Sequence, residues 1–211
     1  MKDKFIDKYM RLARQMGTDG NPCPSRQIGV LIVDPVTNSI TGTGYNGPPA
    51  GTPHCDSEEY LRDFFWPQLT EGEKRRLLLD SGSTSPLNAT DRVQADYIAR
   101  FHSKCGQCPR KLIGAASGKR TELCSCQHAE RNAVTNARRD LAGHIMFCWC
   151  GIPCTQCTGT IINARIAEVH YLVDGYGITP VYDGPTEWLF KQAGIKLYPH
   201  KAKRFYPDET S

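Results

Sequence analysis

Apolar residues recur at two different spacings along the chain, and these spacings predict where helices and strands lie. Residues 3–16 carry an apolar side chain at every third or fourth position, with lysines and arginines between them, which is typical of an amphipathic helix. Residues 28–33 form a short β-branched run, residues 34–38 contain turn formers, and residues 40–45 form a second run. The two runs and the turn between them predict a β-hairpin.

The chain from residue 128 onwards alternates between helical and strand-like patterns. Strand–helix–strand connections of this length favour parallel pairing and right-handed crossovers. Together with the hairpin, these patterns predict an α/β fold whose sheet has five strands. Helices are predicted over 128–141, 154–164 and 185–193, and strands over 145–150, 168–173 and 195–198.

Residues 56–123 interrupt this alternation. A capping box at Thr70 and Glu73 predicts a short helix inside the segment. We interpret the segment as an insertion within a single domain of residues 1–200, because it contains too few apolar residues for a core of its own. Residues 201–211 are polar and are predicted to form a C-terminal tail.

The composition is ordinary for a globular protein, and no apolar run approaches the ~20 residues of a membrane span. The charged start of the chain, Met1–Phe5, lacks the apolar segment of a secretion signal, so we expect a cytoplasmic protein without a membrane partner. The net charge of +4 is compatible with an anionic small molecule, with nucleic acid, or with a merely solvated surface.

Ten cysteines are the most informative feature of the composition. In a chain without an export signal, short Cys-x-x-Cys and Cys-x-Cys spacings indicate metal binding more often than disulfides. Such spacings occur at Cys105 and Cys108, at Cys124 and Cys126, and at Cys154 and Cys157.

The candidate chemistry lies in two motifs that each open a predicted helix, His128-Ala129-Glu130 and Pro-Cys-x-x-Cys ending at Cys157. We predict His128, Cys154 and Cys157 as zinc ligands, because both cysteines lie on one helical face and helix N-termini favour thiolates. Three ligands leave the fourth tetrahedral position open for water, as in catalytic zinc sites. Glu130 stands beside the metal and suits a catalytic proton shuttle. A closed structural zinc site or a redox-active Cys-x-x-Cys pair is the alternative interpretation.

These motifs match the signature of zinc deaminases. The sequence resembles the cytidine deaminase-like superfamily and, within it, the deoxycytidylate (dCMP) deaminases. The closer resemblance is carried by residues 26–30 (Arg-Gln-Ile-Gly-Val), by the loop 44–51 (Gly-Tyr-Asn-Gly-Pro-Pro-Ala-Gly) with His54 and Cys55, and by residues 128–134. It implies a three-layer α/β/α fold with a five-stranded mixed sheet, and a reaction that converts dCMP and water into dUMP and ammonia.

The resemblance also suggests residues that bind the substrate. It implies that Asn46 binds the sugar, that Tyr176 packs on the base or sugar, that the Arg26 segment lies near the phosphate, and that Ala129 belongs to the substrate site. Each position has a plainer interpretation as well. Asn46 can be a turn former, Tyr176 can cover an edge of the core, and Arg26 can be a surface cation.

Many members of the resembled family are hexamers that are activated by dCTP with Mg²⁺ and inhibited by dTTP. By resemblance, the chain is a homo-oligomer whose effector site uses Tyr45, Asn46 and Gly47 at a subunit interface. Arg139, on the predicted His128 helix, matches a position near that interface, although it can also be a plain surface cation.

The strand before the zinc cysteines ends in Cys148-Trp149-Cys150-Gly151-Ile152, where the resembled family has a threonine and a small polar residue. This departure leaves dCTP or a 5-modified dCMP as alternative substrates. Nucleic-acid editing is a further alternative, with the basic insertion as the binding surface. Its basic residues lack interleaved aromatic residues for base stacking, which argues against a nucleic-acid partner.

The remaining cysteines suggest a second metal site. In some relatives, cysteines before the first strand, after the Gly-Tyr-Asn-Gly loop and just before His-Ala-Glu hold a structural zinc. We therefore expect at least one closed zinc site, and six thiols could serve two ions; free buried cysteines are the alternative. The candidate ligands are Cys23, Cys55, Cys105, Cys108, Cys124 and Cys126. A zinc-stabilised interaction module without activity is also conceivable, but the intact Glu130 argues against it.

Overall fold

The structure is a computed structural model, and it describes residues 1–82, 85–103, 106–116, 118–174 and 183–206. The chain divides into two compact units. The sheet unit comprises Met1–Asn21, Arg26–Asn46 and Gln127–Ser211, and the inserted unit comprises Pro22–Ser25 and Gly47–Cys126.

The sheet unit contains five strands, in the spatial order β2-β1-β3-β4-β5. Strand β1 pairs antiparallel with both β2 and β3, whereas β3, β4 and β5 run parallel to one another. The predicted hairpin, the parallel crossovers and the mixed five-stranded sheet are therefore confirmed. The strands are β1 Gly29–Val33, β2 Ile40–Tyr45, β3 Ile145–Cys148, β4 Glu168–Leu172 and β5 Lys196–His200.

The α-helices follow the predicted pattern within one to four residues at most ends. Short 3-10 and π-helical turns occur as well, mainly in the inserted unit. In the described ranges the α-helices are α1 Asp3–Asp19, α2 Glu71–Asp80, α3 Asp91–Ser103, α4 Pro109–Leu112, α5 Ala129–Ala137, α6 Thr155–Asn163 and α7 Asp183–Gln192.

Both faces of the sheet are buried, so successive residues of β1 enter two different cores. Val30 packs in the cluster that includes residues of α5, α6 and α7, whereas Leu31 packs in the cluster that includes residues of α1. In the second cluster the rings of Tyr9 and Phe147 lie 5.2 Å apart. Because helices cover both faces, the predicted three-layer α/β/α architecture is confirmed. Burial on both faces also explains why the sequence of β1 is a continuous apolar run and does not alternate with polar residues.

Helix α5 is shorter than the sequence pattern suggests. It ends at Ala137, because Arg138 takes the left-handed conformation with φ 49°. The prediction that Arg139 lies on the His128 helix is therefore wrong, although Leu141 remains buried at 3% exposure. An arginine at a left-handed helix end gives no sequence signal comparable to glycine.

The inserted unit has a core of its own. Thirteen buried residues form one cluster, in which Phe65, Trp66 and Leu77 are at most 1% exposed. The expectation that the segment has too few apolar residues for a core is wrong, because large aromatic side chains bury much surface per residue. Whether residues 1–200 form a single domain stays a prediction.

The start of α2 carries the predicted capping box. Thr70 accepts a hydrogen bond from the backbone N–H of Glu73, and the Glu73 carboxylate accepts one from the backbone N–H of Thr70. Trp66 donates its indole N–H to Asp91 at 3.0 Å, so this buried ring also satisfies its polar edge. Among the described residues, no helix has the length and apolar character needed to span a membrane.

Candidate active site

Two helix starts bring the predicted zinc ligands together in the sheet unit. His128 is the residue immediately before α5, and Cys154 is the residue immediately before α6; both have extended backbone conformations. The sequence placed both residues inside the first helical turn, so each lies one position earlier than expected. Cys157 is the third residue of α6. Ligands at two helix N-termini lie in the positive field of both helix dipoles, which favours thiolates.

The distances among the three side chains fit a tetrahedral zinc ion. His128 Nδ1 lies 3.5 Å from Cys154 Sγ and 3.4 Å from Cys157 Sγ. All three ligand atoms lie within 4.8 Å of one another. Zinc–sulfur and zinc–nitrogen bonds of ordinary length imply a nitrogen–sulfur separation of about 3.6 Å at a tetrahedral angle. The donor set therefore suits Zn²⁺, and it leaves one coordination position for another ligand.

A hydrogen bond between Cys154 and Cys157 shifts the pKa values of the two thiols in opposite directions. The hydrogen bond from Cys157 and the proximity of His128 lower the pKa of the Cys154 thiol to about 4. The same hydrogen bond and burial raise the pKa of Cys157. Zinc binds cysteine as the thiolate, so its binding releases any proton that these two thiols hold.

Glu130 lies in the first turn of α5 and is 5% exposed. Burial raises the pKa of its carboxyl group, while the nearby His128 and a hydrogen bond with Cys157 oppose this shift. A raised pKa makes this carboxyl group a stronger proton acceptor than an exposed glutamate, which suits a group that takes up and returns protons. This placement agrees with the predicted proton shuttle, whose role in turnover stays a prediction.

Asn46, which follows the last residue of β2, is hydrogen-bonded to the first residue of α5. Its side-chain oxygen accepts a hydrogen bond from the backbone N–H of Ala129 at 2.9 Å, and its own backbone N–H donates to the Ile28 carbonyl at 3.3 Å. Asn46 is 6% exposed. Among the described residues the amide nitrogen of Asn46 has no hydrogen-bond acceptor, so it can donate to a ligand. The structure thus brings Asn46 and Ala129 together next to His128.

Residues 3–173 match the family described as the cytidine and deoxycytidylate deaminase zinc-binding region. The chain belongs to this family.

Two curated relatives are similar to this chain over most of the chain's length. The deoxycytidylate deaminase of Schizosaccharomyces pombe is 24% identical over 206 residues, which is 97% of this chain and 45% of the relative. The deoxycytidylate deaminase of Saccharomyces cerevisiae is 25% identical over 172 residues, which is 81% of this chain and 38% of the relative. The chain therefore spans less than half the length of these relatives.

Solved structures support the same fold. The dCMP deaminase of cyanophage S-TIM5, in complex with dCMP and dUMP, superposes with a TM-score of 0.55 at 18% identity, covering 95% of this chain and 99% of the other. The apo form of the same phage enzyme gives a TM-score of 0.52. At this identity the likeness concerns the fold alone.

Apart from the buried Gly47, the other residues suggested for substrate and effector binding are half-buried, exposed or outside the described residues. Arg26 is half-buried. A hydrogen bond with Cys148 and burial raise the pKa of the Cys150 thiol, and the positive charge of Arg26 opposes this shift. Arg26 thus lies near the end of β3 in this deaminase-family fold. Tyr45 and Arg139 have exposed side chains. Gly47 belongs to the inserted unit, and Tyr176 lies outside the described residues.

Two asparagines that attach α5 to β2 were not anticipated from the sequence. Asn132 donates its side-chain N–H to the Tyr45 carbonyl at 2.9 Å, and Asn136 donates to the Thr43 carbonyl at 3.0 Å. Between these bonds, Gly44 lets the helix backbone approach the strand directly. The available signal was a pair of asparagines four residues apart on one helical face, opposite a strand containing glycines.

The cysteines of the inserted unit form a second cluster of thiols. Hydrogen bonds with the thiols of Cys124, Cys23 and Cys55 raise the pKa of Cys126, and burial raises it further. Three of the other predicted structural ligands are therefore neighbours of the Cys126 thiol. Cys108 is buried at 8% exposure, and Cys105 lies outside the described residues.

Proposed function

We propose that the chain catalyses the zinc-dependent hydrolytic deamination of a deoxycytidine nucleotide, with dCMP as the preferred substrate. The observation that carries this proposal is the tetrahedral spacing of His128, Cys154 and Cys157 beside the buried carboxyl of Glu130. Membership of the deaminase family and the names of the curated relatives support it.

The residues of this chain would divide the work of hydrolysis as follows. His128, Cys154 and Cys157 hold the zinc ion, which when bound acts as a Lewis acid that lowers the pKa of water to about 7. Glu130 accepts the proton of the attacking water. It gives this proton to the ring nitrogen, then takes the second proton of the former water and gives it to the departing amine, so that dCMP and water become dUMP and ammonia. Its burial keeps bulk water from competing for the proton.

The substrate contacts are proposed from the residues around this centre. The amide nitrogen of Asn46 is available to donate a hydrogen bond to a sugar hydroxyl, because its oxygen is held by Ala129. Arg26 lies near Cys150, where its positive charge can bind a phosphate group. Tyr176 remains a candidate from the sequence for packing on the base or sugar.

We also propose that the inserted unit holds a structural zinc ion. Cys23, Cys55, Cys124 and Cys126 offer four thiols, and four thiolates close the coordination sphere of a structural zinc. A bound zinc ion would contribute its binding free energy to the folding of this unit. Metal analysis of purified protein should give at least two zinc ions per chain, and a single ion would rule out the structural site.

Regulation and assembly are proposed from the family resemblance. The chain would form a homo-oligomer, which by resemblance is a hexamer. The nucleotide dCTP with Mg²⁺ would activate the enzyme, and dTTP would inhibit it. The effector candidates are Tyr45, Asn46, Gly47 and Arg139. The cytoplasmic location stays a prediction.

The decisive experiment measures ammonia release by the zinc-loaded full chain over a panel of substrates. The panel contains dCMP, dCTP, 5-methyl-dCMP, CMP, deoxycytidine, guanine and single-stranded DNA, and Glu130→Gln serves as the inactive control. We expect the highest kcat/KM with dCMP. Preference for dCTP or a 5-modified dCMP would change the proposed substrate, and turnover of the polynucleotide alone would overturn the proposed function.

A further inference from the structure

Helix α1 and the C-terminal turn that is tied to it carry the excess positive charge of the chain. Residues 1–19 and 201–206 contain eight of the 26 lysines and arginines but only three of the 22 aspartates and glutamates. Their excess of positive charge is therefore larger than the +4 of the whole chain. Both segments belong to the sheet unit, and Arg204 joins them through ion pairs with Asp3 and Asp7.

A groove with a volume of about 690 Å³ lies on this surface, between α1 and Tyr206. We call it the α1 groove, and its wall includes Lys8, Arg11, Arg14, Asp19 and Tyr206. The volume is within the range of small-molecule sites. A concave surface lined mainly by one sign of charge concentrates the electrostatic potential, so this groove attracts anions more strongly than a flat surface would.

One of the basic side chains in the groove is held in place by aromatic rings. The guanidinium carbon of Arg14 lies 3.9 Å from the centre of the Tyr206 ring and 5.9 Å from that of Trp149. The two rings contact each other edge to face, with their centres 5.6 Å apart. Cation–π contacts of this kind restrict the side chain. A guanidinium that is ordered before a ligand arrives loses little entropy when it binds an anion.

The two ends of the groove differ in charge. Lys8, Arg11 and Arg14 form the positive end, and Asp19 lies about 16 Å from Lys8 along the helix axis at 1.5 Å per residue. The helix dipole adds negative potential at the Asp19 end. The Asp19 carboxylate accepts a hydrogen bond from Thr18 and has the capacity to accept others. The groove therefore matches a ligand with anionic groups at one end and hydroxyl or amino donors at the other.

We propose that the α1 groove binds a nucleoside triphosphate, with its phosphates against Lys8, Arg11 and Arg14 and its sugar hydroxyls towards Asp19. Hydrogen bonds from lysine and arginine to phosphate oxygens are the strong contacts of such a complex. Helix α1 packs on one face of the sheet, whereas α5 and α6, which carry the predicted zinc ligands, pack on the other. The site is therefore separate from the zinc centre.

Binding is tested by isothermal titration calorimetry of the zinc-loaded full chain with MgATP, with magnesium tripolyphosphate and with adenosine. ATP carries no cytosine and is therefore not a substrate of the proposed deamination. We expect ATP to bind once per chain with an affinity that falls as salt is added, tripolyphosphate to bind more weakly, and adenosine to give no signal. Absence of ATP binding would overturn the proposal. Equal affinities for ATP and tripolyphosphate would overturn the assignment of a nucleotide.

The location of the site is tested with two exposed arginines of the sheet unit. Arg11→Ala should weaken ATP binding about 10-fold, because it removes a hydrogen bond between charged groups, and Arg139→Ala should leave the affinity unchanged. Lys8→Ala should act like Arg11→Ala, so the test does not depend on one variant. Loss of binding in Arg139→Ala but not in Arg11→Ala would place ATP at the proposed effector residues and overturn the inference.

The orientation of the nucleotide is tested by Asp19→Ala. This variant should weaken the binding of ATP, because the sugar loses its acceptor, without weakening the binding of tripolyphosphate. An unchanged affinity for ATP would contradict the placement of the sugar at Asp19.

Discussion

The side-chain oxygen of Asn46 accepts a hydrogen bond from the backbone N–H of Ala129, although the two residues are 83 positions apart in the chain. The first N–H groups of a helix have no partner within the helix, and Asn46 satisfies one of them at the start of α5. A residue suggested for the sugar site is thereby also a structural support of the helix that follows His128.

Substitution of Asn46 should separate these two roles. Asn46→Ala leaves the buried Ala129 N–H without an acceptor, and we expect a loss of about 1–3 kcal/mol in the free energy of unfolding. Asn46→Asp keeps an acceptor and should lose less stability, but it lacks the amide donor and should still lower kcat/KM for dCMP. Denaturant unfolding and steady-state kinetics measure the two effects. Equal stability of the two variants would show that the hydrogen bond to Ala129 contributes little.

The close approach of α5 to β2 requires a glycine at residue 44. A methyl carbon added there would overlap the Ala129 carbonyl oxygen and the Ala133 nitrogen, so Gly44→Ala must displace the helix that carries Glu130. We expect a loss of about 1–3 kcal/mol in stability together with a fall in turnover. Gly159→Ala is the matched control in α6, since no heavy atom outside the backbone of its own helix turns and its chain neighbours lies within 4 Å of the added carbon.

The control should move in the opposite direction. Alanine in place of glycine inside a helix stabilises by about 0.5–1 kcal/mol, so Gly159→Ala should unfold at a higher denaturant concentration than the unaltered chain. A Gly44→Ala protein with unchanged unfolding and kinetics would show that strand and helix can separate without consequence.

Glu130→Gln removes the proton-carrying group while keeping its size. Turnover should fall by about 10²–10⁴-fold, because proton transfer by a positioned side chain contributes that much. The zinc content should not change, since Glu130 is not a predicted ligand. Zinc analysis and ammonia release on the same sample measure both quantities. Ordinary turnover in the Glu130→Gln variant would remove this carboxyl group from the mechanism.

His170 predicts a particular dependence of stability on pH. Burial, and then the nearby His200, lower the pKa of His170 from 6.5 to about 3 in the folded chain. Between these two values the unfolded chain binds a proton that the folded chain does not. Stability should therefore fall as the pH is lowered from 6.5 towards 3, with a contribution of about 1.4 kcal/mol per pH unit from this group.

The variant His170→Phe isolates that contribution. Its ring retains an aromatic surface for the stack with Phe147 and Tyr198, but it cannot titrate. The slope of unfolding free energy against pH should be about 1.4 kcal/mol per unit smaller in the variant over this range. The same slope in both proteins would place the acid sensitivity on other groups.

The sequence predicted the features that depend on local spacing. The hairpin, the parallel crossovers and the cluster of His128, Cys154 and Cys157 follow from periodicity and from motifs at helix starts. The core of the inserted unit was missed, because burial of Trp66 and Phe65 depends on tertiary packing that no short-range pattern reports. The contact of Asn46 with Ala129 joins distant segments, so it too was invisible from spacing alone.

Strand β2 lies at an edge of the sheet, where unpaired carbonyl groups can recruit a strand of another chain. The backbone N–H of Asn46 donates to the Ile28 carbonyl and so points towards β1. Because successive residues of a strand direct their backbone groups to opposite sides, the carbonyl of the neighbouring Tyr45 points away from β1. Asn132 occupies the Tyr45 carbonyl, and its partner one turn later occupies that of Thr43. The helix that carries Glu130 therefore also occupies two of the carbonyl groups that an added strand would need at this edge.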